Sequence, residues 1–473
     1  MKQFLLILIS LISIEANLFA QTEDNRIQVV GDSLLGKTIN GESIREVHGN
    51  VVMTQGAVRI TCDKAIQYLA RNEAELIGRV VVVQDSIIIK TSRGYYYGDT
   101  KIAFSNVGIF LTDGHVNLNS KNGYYYFDEK RSYFYEDVKL HDSLSNLSTN
   151  KLTYFDDDDK AVAVGNVQVS DTSSTIFADS LIHYRNTKTT FAFNNIRIYD
   201  PSNRLAIFGN KLEDYGEKNY SKITDKPFLV RIDTLSNGAL DTLIISAKML
   251  ESFDDSLKKM IATDSVKIVR KNFASINGET KFYQKNDQIQ TFKRESDVNP
   301  PVIWNEEAQL VGDSIKIYLK DNRLDQMDIN ANASIITSNK DSIYRFDQLS
   351  GKRIKMFFDD KGLNRTEVYG NVLSIYYMYE DGEPNGLLKS SSEQAKIYFK
   401  DKTVADVRLY GKPVSEYHPE NLIIGKEKDF TIPTFRIYSD KPTKENLLFK
   451  RKDILKYLMK DIQYYAGKLS TKK

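Results

Sequence analysis

The chain is poor in the residue types that carry metal, redox and nucleophilic chemistry. Its 473 residues include one Cys, one Trp and five His. The single thiol, Cys62, excludes an internal disulfide, and its place in an apolar strand pattern is typical of a buried small residue. The histidines are spread singly, without the spacing of a metal-ligand set, at His48, His115, His141, His183 and His418. No phosphate-binding loop or nucleophile motif occurs either, so the sequence predicts no enzyme, no metal site and no cofactor.

The chain also has little net charge and few Pro residues. The 65 basic and 63 acidic residues leave a net charge of +2, which excludes the strongly basic field of a nucleic-acid-binding protein. Only 9 Pro stand against 28 Tyr and 23 Phe, and this composition favours strands over helical bundles or disorder. The predicted fold class is therefore all-β.

The amino terminus has the pattern of an export signal. Residues 1–20, MKQFLLILISLISIEANLFA, contain one Lys, an apolar stretch and then small and polar residues, which predicts a secretory signal peptide. The apolar stretch, residues 4–14, is too short to span a bilayer. No Cys follows the predicted cleavage point, which argues against a lipoprotein. We expect the mature chain to begin near Gln21 and to lie in the periplasm, with association with the outer membrane as an open alternative.

Aliphatic residues recur at intervals of 29 residues between residues 51 and 198. The first row consists of Val51, Val80, Ile109, Val138, Val167 and Ile196. The second row, two residues later, consists of Met53, Val82, Leu111, Leu140, Val169 and Ile198. A row of small residues follows at Cys62, Thr91, Ser120, Thr149 and Ala178, and an aromatic row at Tyr68, Tyr97, Tyr126, Phe155 and Tyr184. A constant period of this kind indicates a repeat architecture.

Each 29-residue unit predicts a rung of two short strands. Apolar residues two positions apart lie on one face of a strand, and Gly, Asn or Asp marks the turns. One rung cannot bury its apolar face alone, so we expect the rungs to stack. Past residue 200 the spacing loosens but similar units persist. The predicted segments are a signal peptide (1–20), a lead-in (21–45), regular rungs (46–210), irregular rungs with an insertion or worn rungs at 211–240 (211–299), a second β segment (300–415) and a tail (416–473).

The apolar period changes in the tail. Ile454, Leu455, Leu458 and Ile462 fall on one face of a helical pattern, with lysines elsewhere. We therefore predict an amphipathic helix around residues 447–465. We expect this helix to fold back over the final rung and cover its strand edge, while the amino-terminal edge stays open to strand addition by a partner.

The first rungs resemble a known family. The run GNVVMTQGAVRITCDKAIQY (49–68), followed by AELIGRVVVVQDSIIIKTSRGYYY (74–97), resembles the OstA-like domain of the lipopolysaccharide transport proteins, the LptA, LptC and amino-terminal LptD group. The shared pattern is GNV, an apolar residue, TQG, and a strand that ends in a small residue plus Asp-Lys. This pattern recurs in part at 165–169 and 370–372. The resemblance is close over 46–200 and weaker over 300–415.

The resemblance implies an elongated, twisted β-jellyroll whose two walls enclose an apolar groove for the acyl chains of lipopolysaccharide. The groove candidates are then the residues of the first and second rows. The implied function is periplasmic transport of lipopolysaccharide toward the outer membrane. The implied partners are lipopolysaccharide and other jellyroll members of the transport bridge, joined by strand-edge addition. The rows by themselves fit a dry core between the walls just as well, and the resemblance favours the groove.

Other classes stay open on the residues alone. An exported structural β-repeat or adhesin without lipid cargo would show the same rungs. A β-helical polysaccharide-active enzyme would need acids clustered on one rung face, whereas the acids here are scattered through turns. The run DDDD (156–159) lacks the spacing of a calcium loop and is interpreted as a hairpin tip. The aromatic row is interpreted as structural, with sugar stacking as the alternative.

Overall fold

The computed structural model describes residues 26–454, apart from 85, 144, 235–239, 322, 340–343, 402 and 453. The described residues form 32 β-strands, four short 3₁₀ turns and one α-helix, which confirms the all-β prediction. The chain divides into two compact units, residues 1–136 and 137–473. The predicted signal peptide lies outside the described residues, and so does most of the helix predicted around 447–465.

Eleven antiparallel strands, numbered in chain order, carry the first unit, and the last of them contains the unit boundary. They are β1 (Gln28–Val30), β2 (Ser33–Ile39), β3 (Glu42–Gln55), β4 (Val58–Tyr68), β5 (Glu73–Gln84), β6 (Ile87–Tyr97), β7 (Ile102–Ser105), β8 (Ile109–Thr112), β9 (Asn117–Ser120), β10 (Asn122–Tyr126) and β11 (Arg131–His141).

The second unit continues with antiparallel strands and ends on the helix. Its elements are β12 (Asn146–Phe155), β13 (Lys160–Ser170), β14 (Thr175–Tyr184), β15 (Thr189–Asp200), β16 (Leu205–Tyr215), β17 (Tyr220–Thr224), β18 (Phe228–Thr234), β19 (Leu240–Ser246), β20 (Met249–Phe253), β21 (Lys259–Arg270), β22 (Phe273–Tyr283), β23 (Gln288–Phe292), β24 (Val302–Asn305), β25 (Ala308–Val311), β26 (Ser314–Lys320), β27 (Arg323–Ser338), β28 (Phe346–Asp359), β29 (Gly362–Glu380), β30 (Glu383–Lys400), β31 (Thr403–Tyr410), β32 (Val414–His418) and α1 (Lys444–Phe449).

Many of the long strands turn a corner at a β-bulge. In β3, Gly49 and Asn50 together face one residue of β4, Asp63, because the pairing register shifts there. Both bulge residues have positive φ, 73° and 44°, a conformation that Gly and Asn tolerate better than most residues. An extra residue of this kind bends the strand. Pairs with positive φ recur in step with the sequence repeat, at 78/79, 136/137, 165/166 and 194/195.

The corners divide each rung between two walls. In the second unit, residues 211–215 of β16 pair with β17, whereas residues 205–208 of the same strand pair with β18. We call the wall that holds the aromatic row the tyrosine wall. The wall that holds the first and second rows is called the valine wall. Within each unit this antiparallel, two-walled arrangement is that of a β-jellyroll, so the predicted fold class and its two-strand rungs are confirmed.

The neighbouring valine-wall strands β18 and β19, with the valine-wall parts of β16 and β21, are buried on both faces. In β18, Leu229 packs on one side with Ile245, while Phe228 and Val230 pack on the other side. This explains the continuous apolar runs FLVRI and LIIS, because a strand covered on both faces has no polar side to alternate with. The stretch 211–240, interpreted from the sequence as an insertion or worn rungs, contributes regularly paired strands.

The C-terminal segment, residues 419–452, covers the outer face of the valine wall in the second unit. Helix α1 begins after Thr443, whose hydroxyl accepts a hydrogen bond from the amide of Asn446 at 3.1 Å. Its Leu447 is buried in one cluster with Phe228 and Ile244. The expectation that this helix covers the final rung is therefore wrong. Strands β31 and β32 are exposed over nearly all of their residues, because the segment runs back to earlier strands whose outer faces are apolar.

Candidate functional site

The first aliphatic row lies directly beside the corner and is closed to solvent. All six side chains, from Val51 to Ile196, are buried, and the most exposed, Ile109, is 7% accessible. In the second unit, Ile196 of the valine wall packs with Ala192 and Leu212 of the tyrosine wall. The two walls therefore meet at the corner in a dry core.

The second row is more accessible than the first in most rungs. Met53 and Val82 are buried, whereas Leu111, Leu140, Val169 and Ile198 are only half-buried. Each of these residues lies two positions further from the corner than its counterpart in the first row. Exposure thus rises with distance from the corner, as expected for walls that diverge.

In the second unit the half-buried residues form a continuous strip. Strand pairing places Leu147, Val169, Ile176, Ile198 and Ile207 side by side across β12 to β16. All five are half-buried, and Ile176, Ile198 and Ile207 pack against the closed core. We call this set the aliphatic strip. It offers partly accessible apolar surface that runs across five strands, perpendicular to them.

The facing tyrosine wall carries a polar row that the sequence analysis did not identify. Tyr154, His183, Thr190, Asp214 and Ser221 lie in one register across β12 to β17, each two residues beyond a buried apolar position, and Ala161 of β13 is the one apolar member of this register. His183 Nδ1 lies 3.0 Å from the Thr190 hydroxyl, and the Ser221 hydroxyl donates to Asp214 at 2.5 Å. Burial lowers the pKa of His183 and raises the pKa of Tyr154 to about 12, so both are neutral near pH 7. The interior therefore has an apolar side and a polar side.

The row of small residues serves the corners. The hydroxyl of Thr149 lies 3.1 Å from the carbonyl oxygen of Gly165, at the bulge of the neighbouring strand, and Thr91 lies 2.8 Å from the carbonyl oxygen of Gly108 in the same way. A small hydroxyl here satisfies carbonyl groups that the bulge leaves unpaired. Cys62 occupies the same place, and burial raises the pKa of its thiol to about 11, which keeps it protonated. The prediction of a structural thiol rather than a reactive one fits this geometry.

The aromatic row has little free ring surface. The guanidinium of Arg71 lies 4.3 Å from the ring centre of Tyr68, and that of Arg131 lies 3.8 Å from the ring centre of Tyr126. Other outward rings of the first unit stack on one another, as Tyr124 does on Phe104. Sugar rings need an open aromatic face, so this arrangement favours the structural interpretation.

Other candidate features fall outside the interior. The DDDD run forms the turn between β12 and β13, as its interpretation as a hairpin tip requires. Among the residues that the structure describes, no group of three or more His, Cys, Asp or Glu side chains is placed to hold a metal ion. The described part of the chain also contains no helix with the length and apolarity needed to cross a membrane.

Two walls of antiparallel strands around an apolar interior define the class of this protein as a β-jellyroll of stacked rungs. Residues 29–113 and 144–250 match the family model described as OstA-like protein. The resemblance that the sequence indicates is thereby confirmed over those ranges. The matched ranges contain the whole aliphatic strip. They also contain both aliphatic rows, except for Val138 and Leu140, which lie between the two ranges.

Several solved structures resemble the chain. One of them is the crystal structure of LptH, described as the LptA homologous periplasmic component of the conserved lipopolysaccharide transport device from Pseudomonas aeruginosa. It is 14% identical in sequence, the likeness covers 36% of this chain and 85% of that chain, and the TM-score is 0.12. No curated protein matches the chain.

Proposed function

We propose that this protein binds lipopolysaccharide between its two walls and carries it through the periplasm toward the outer membrane. The observation that carries the proposal is the aliphatic strip, which leaves apolar surface accessible beside a closed corner. The OstA-like match supports the proposal, because the first rungs resemble the OstA-like domain of the lipopolysaccharide transport proteins. In this proposal the first row forms the floor of the groove, and the second row contacts the acyl chains.

The energy of such binding is sufficient for a hydrophobic cargo. Burial of an acyl chain contributes about 0.8 kcal/mol per methylene group, so a chain of about a dozen carbons gains roughly 10 kcal/mol before ordering costs. Successive rungs present similar side chains at equivalent positions, and neighbouring sites then have similar affinities. A lipid can move between such sites without falling into one deep trap.

The test places a carboxylate in the groove. We expect Leu140→Asp and Ile198→Asp each to abolish crosslinking to a photoactivatable lipopolysaccharide, because an unpaired carboxylate in an apolar site costs several kcal/mol. The matched control is Lys139→Asp, which changes the exposed neighbour of Leu140 on the same strand. Circular dichroism confirms that each variant is folded. Unchanged crosslinking in both folded groove variants would refute lipid binding between the walls and would leave the structural β-repeat as the better account.

Partners are proposed to join at the strand edges, one in each unit. In the first unit, β2 is exposed along its whole length and presents Leu34 and Leu35. In the second unit, β31 and β32 pair with β30, and expose Val407 and Val414. Exposed strand edges of this kind accept a further strand. We expect Val407→Pro to reduce association with a strand-donating partner in sedimentation velocity, and an unchanged association would exclude the β31 edge.

A further inference from the structure

A cavity of about 590 Å³ lies in the second unit, where helix α1 meets the outer face of the valine wall. Its volume is in the range of small-molecule sites. It is bounded by the corners of three successive rungs and by the last turn of the C-terminal segment.

Cationic side chains line the cavity on the side of the rung corners and on the side of the C-terminal segment. Its lining contains five cationic side chains, those of Lys226, Lys248, Lys267, Lys450 and Arg451, and one acid. That acid, Asp225, accepts a hydrogen bond from the side-chain amide of Asn210 at 3.1 Å.

Only part of this positive charge is balanced nearby. Asp264 lies beside the cavity and pairs with Lys248 at 2.9 Å, while it also lies 3.5 Å from Arg294. Convergent like charges raise the local potential in a concave site and attract counter-ions. The other lysines of the lining, Lys226, Lys267 and Lys450, therefore favour an anionic group.

The rest of the lining is apolar except for Ser246 and Ser265. Phe228, Ala247 and Leu447 are buried side chains that border the cavity. The guanidinium of Arg451 lies 5.3 Å from the ring centre of Phe228 and donates to the carbonyl oxygen of Lys226 at 2.7 Å. The arginine thus fixes the helix end to the rung corner and holds charge against an apolar wall.

We propose that this cavity binds a single anionic amphiphile, with a phosphate-sized headgroup held by the lysines and a short apolar stem against Phe228 and Leu447. The site goes beyond the transport function proposed above. It lies on the outer face of the valine wall, opposite the inner face that carries the aliphatic strip, since Phe208 packs toward α1 and Ile207 packs inward. Because the C-terminal segment supplies one side of the cavity, ligand binding also stabilises the docked segment.

The test uses the full chain and three probes below their micelle concentrations. They are decyl phosphate, inorganic phosphate and the neutral decyl maltoside, titrated by isothermal calorimetry at low and high salt. We expect decyl phosphate to bind most tightly and to weaken as salt increases. The double variant Lys226→Gln/Lys267→Gln should weaken decyl phosphate by about tenfold or more, because charge-assisted hydrogen bonds are lost. Lys320→Gln/Lys400→Gln, a matched pair of exposed lysines elsewhere in the unit, should leave its affinity unchanged.

Each other outcome counts against a defined part of the proposal. Equal binding of decyl maltoside would overturn charge recognition, and equal binding of inorganic phosphate would overturn the apolar stem. An equal loss in the control pair would show a general charge effect and refute the site. Leu140→Asp separates the two proposals. If Leu140→Asp removes decyl phosphate binding and the lysine double variant does not, the ligand lies between the walls and the cavity site is refuted. If the lysine double variant does not weaken binding, the proposal of lipopolysaccharide transport is unaffected.

Discussion

A buried glutamine holds the C-terminal segment to the valine wall, and its removal should release that segment locally. Gln348 of β28 donates its side-chain amide to the carbonyl oxygen of Phe430 at 3.0 Å. Its own carbonyl oxygen accepts the amide of Ile432 at 2.8 Å. Gln348 is 3% exposed, and Ile432 is 4% exposed. The substitution Gln348→Ala removes both hydrogen bonds to the segment and introduces no charge.

The expected cost follows from what the substitution leaves behind. Two backbone groups of the segment, the Phe430 carbonyl and the Ile432 amide, lose their partner in a site closed to water. A buried unsatisfied polar group costs about 1–3 kcal/mol, so the lower end of the range for two groups gives about 2–3 kcal/mol. Since 1.4 kcal/mol is a factor of ten, opening of the segment should become about a hundredfold more frequent. The segment lies on the outer face, so we expect this opening to be local.

Native-state hydrogen exchange measures this opening directly. The Ile432 amide should exchange about a hundredfold faster in Gln348→Ala, in line with the estimated free-energy change. Amides in the paired strands of the first unit should keep their protection.

A second glutamine offers the matched control. Gln309 of β25 makes the same pair of bonds further along, to the Arg436 carbonyl at 2.7 Å and from the Tyr438 amide at 2.8 Å. Gln309→Ala should accelerate exchange at Tyr438 more than at Ile432. If Gln348→Ala leaves Ile432 protected, or accelerates all amides equally, the reasoning that the segment is held locally is wrong.

Two further predictions concern pH and the corners. Burial raises the pKa of Asp347 to about 6, so its protonated form stabilises the fold, and that contribution is lost as pH rises from about 4 to above 6. Chemical denaturation should show that the free energy of unfolding falls by about 3 kcal/mol across that interval, and Asp347→Asn should remove this fall. A pH profile that is unchanged in the variant would refute the prediction. Gly165 has a φ of +85°, so Gly165→Ala should lower the free energy of unfolding by about 1–2 kcal/mol. Gly36→Ala, where an added Cβ meets nothing within 4 Å, should change it far less, and equal effects would refute the corner argument.

The features that could be predicted from the sequence are those that repeat locally. The first row, beginning at Val51, keeps its spacing because each rung builds the same corner, and the Gly-Asn pair before it is the bulge itself. Period and strand alternation therefore suffice to predict rungs, a shared fold and which residues lie beside the corner. They also distinguish the first row from the second by position, although not by exposure, which depends on how far the walls diverge.

The features that could not be predicted depend on pairing between distant residues. His183 and Asp214 join one polar row only because strand register places them beside Thr190. The direction of the C-terminal segment depends on contacts such as Gln309 with Arg436, which are 127 residues apart and have no periodic signal. Nearness in sequence favours the final rung as the place of the helix. The helix lies instead where continuous apolar strands leave an outer face to bury.

The return of the C-terminal segment over earlier strands has a consequence for how the chain reaches its native state. Arg451 bonds to the Lys226 carbonyl across 225 residues, and Lys444 lies 3.5 Å from the Thr242 hydroxyl across 202 residues. Strands β16, β18, β19 and β21 are therefore synthesised long before the segment that covers their outer face exists. Until synthesis is complete, Phe228 and Ile244 have no cover on that side, and such surfaces aggregate. Folding that is ordered from the amino terminus leaves this region exposed longest, which makes it the part of the protein that most needs a chaperone before the chain is complete.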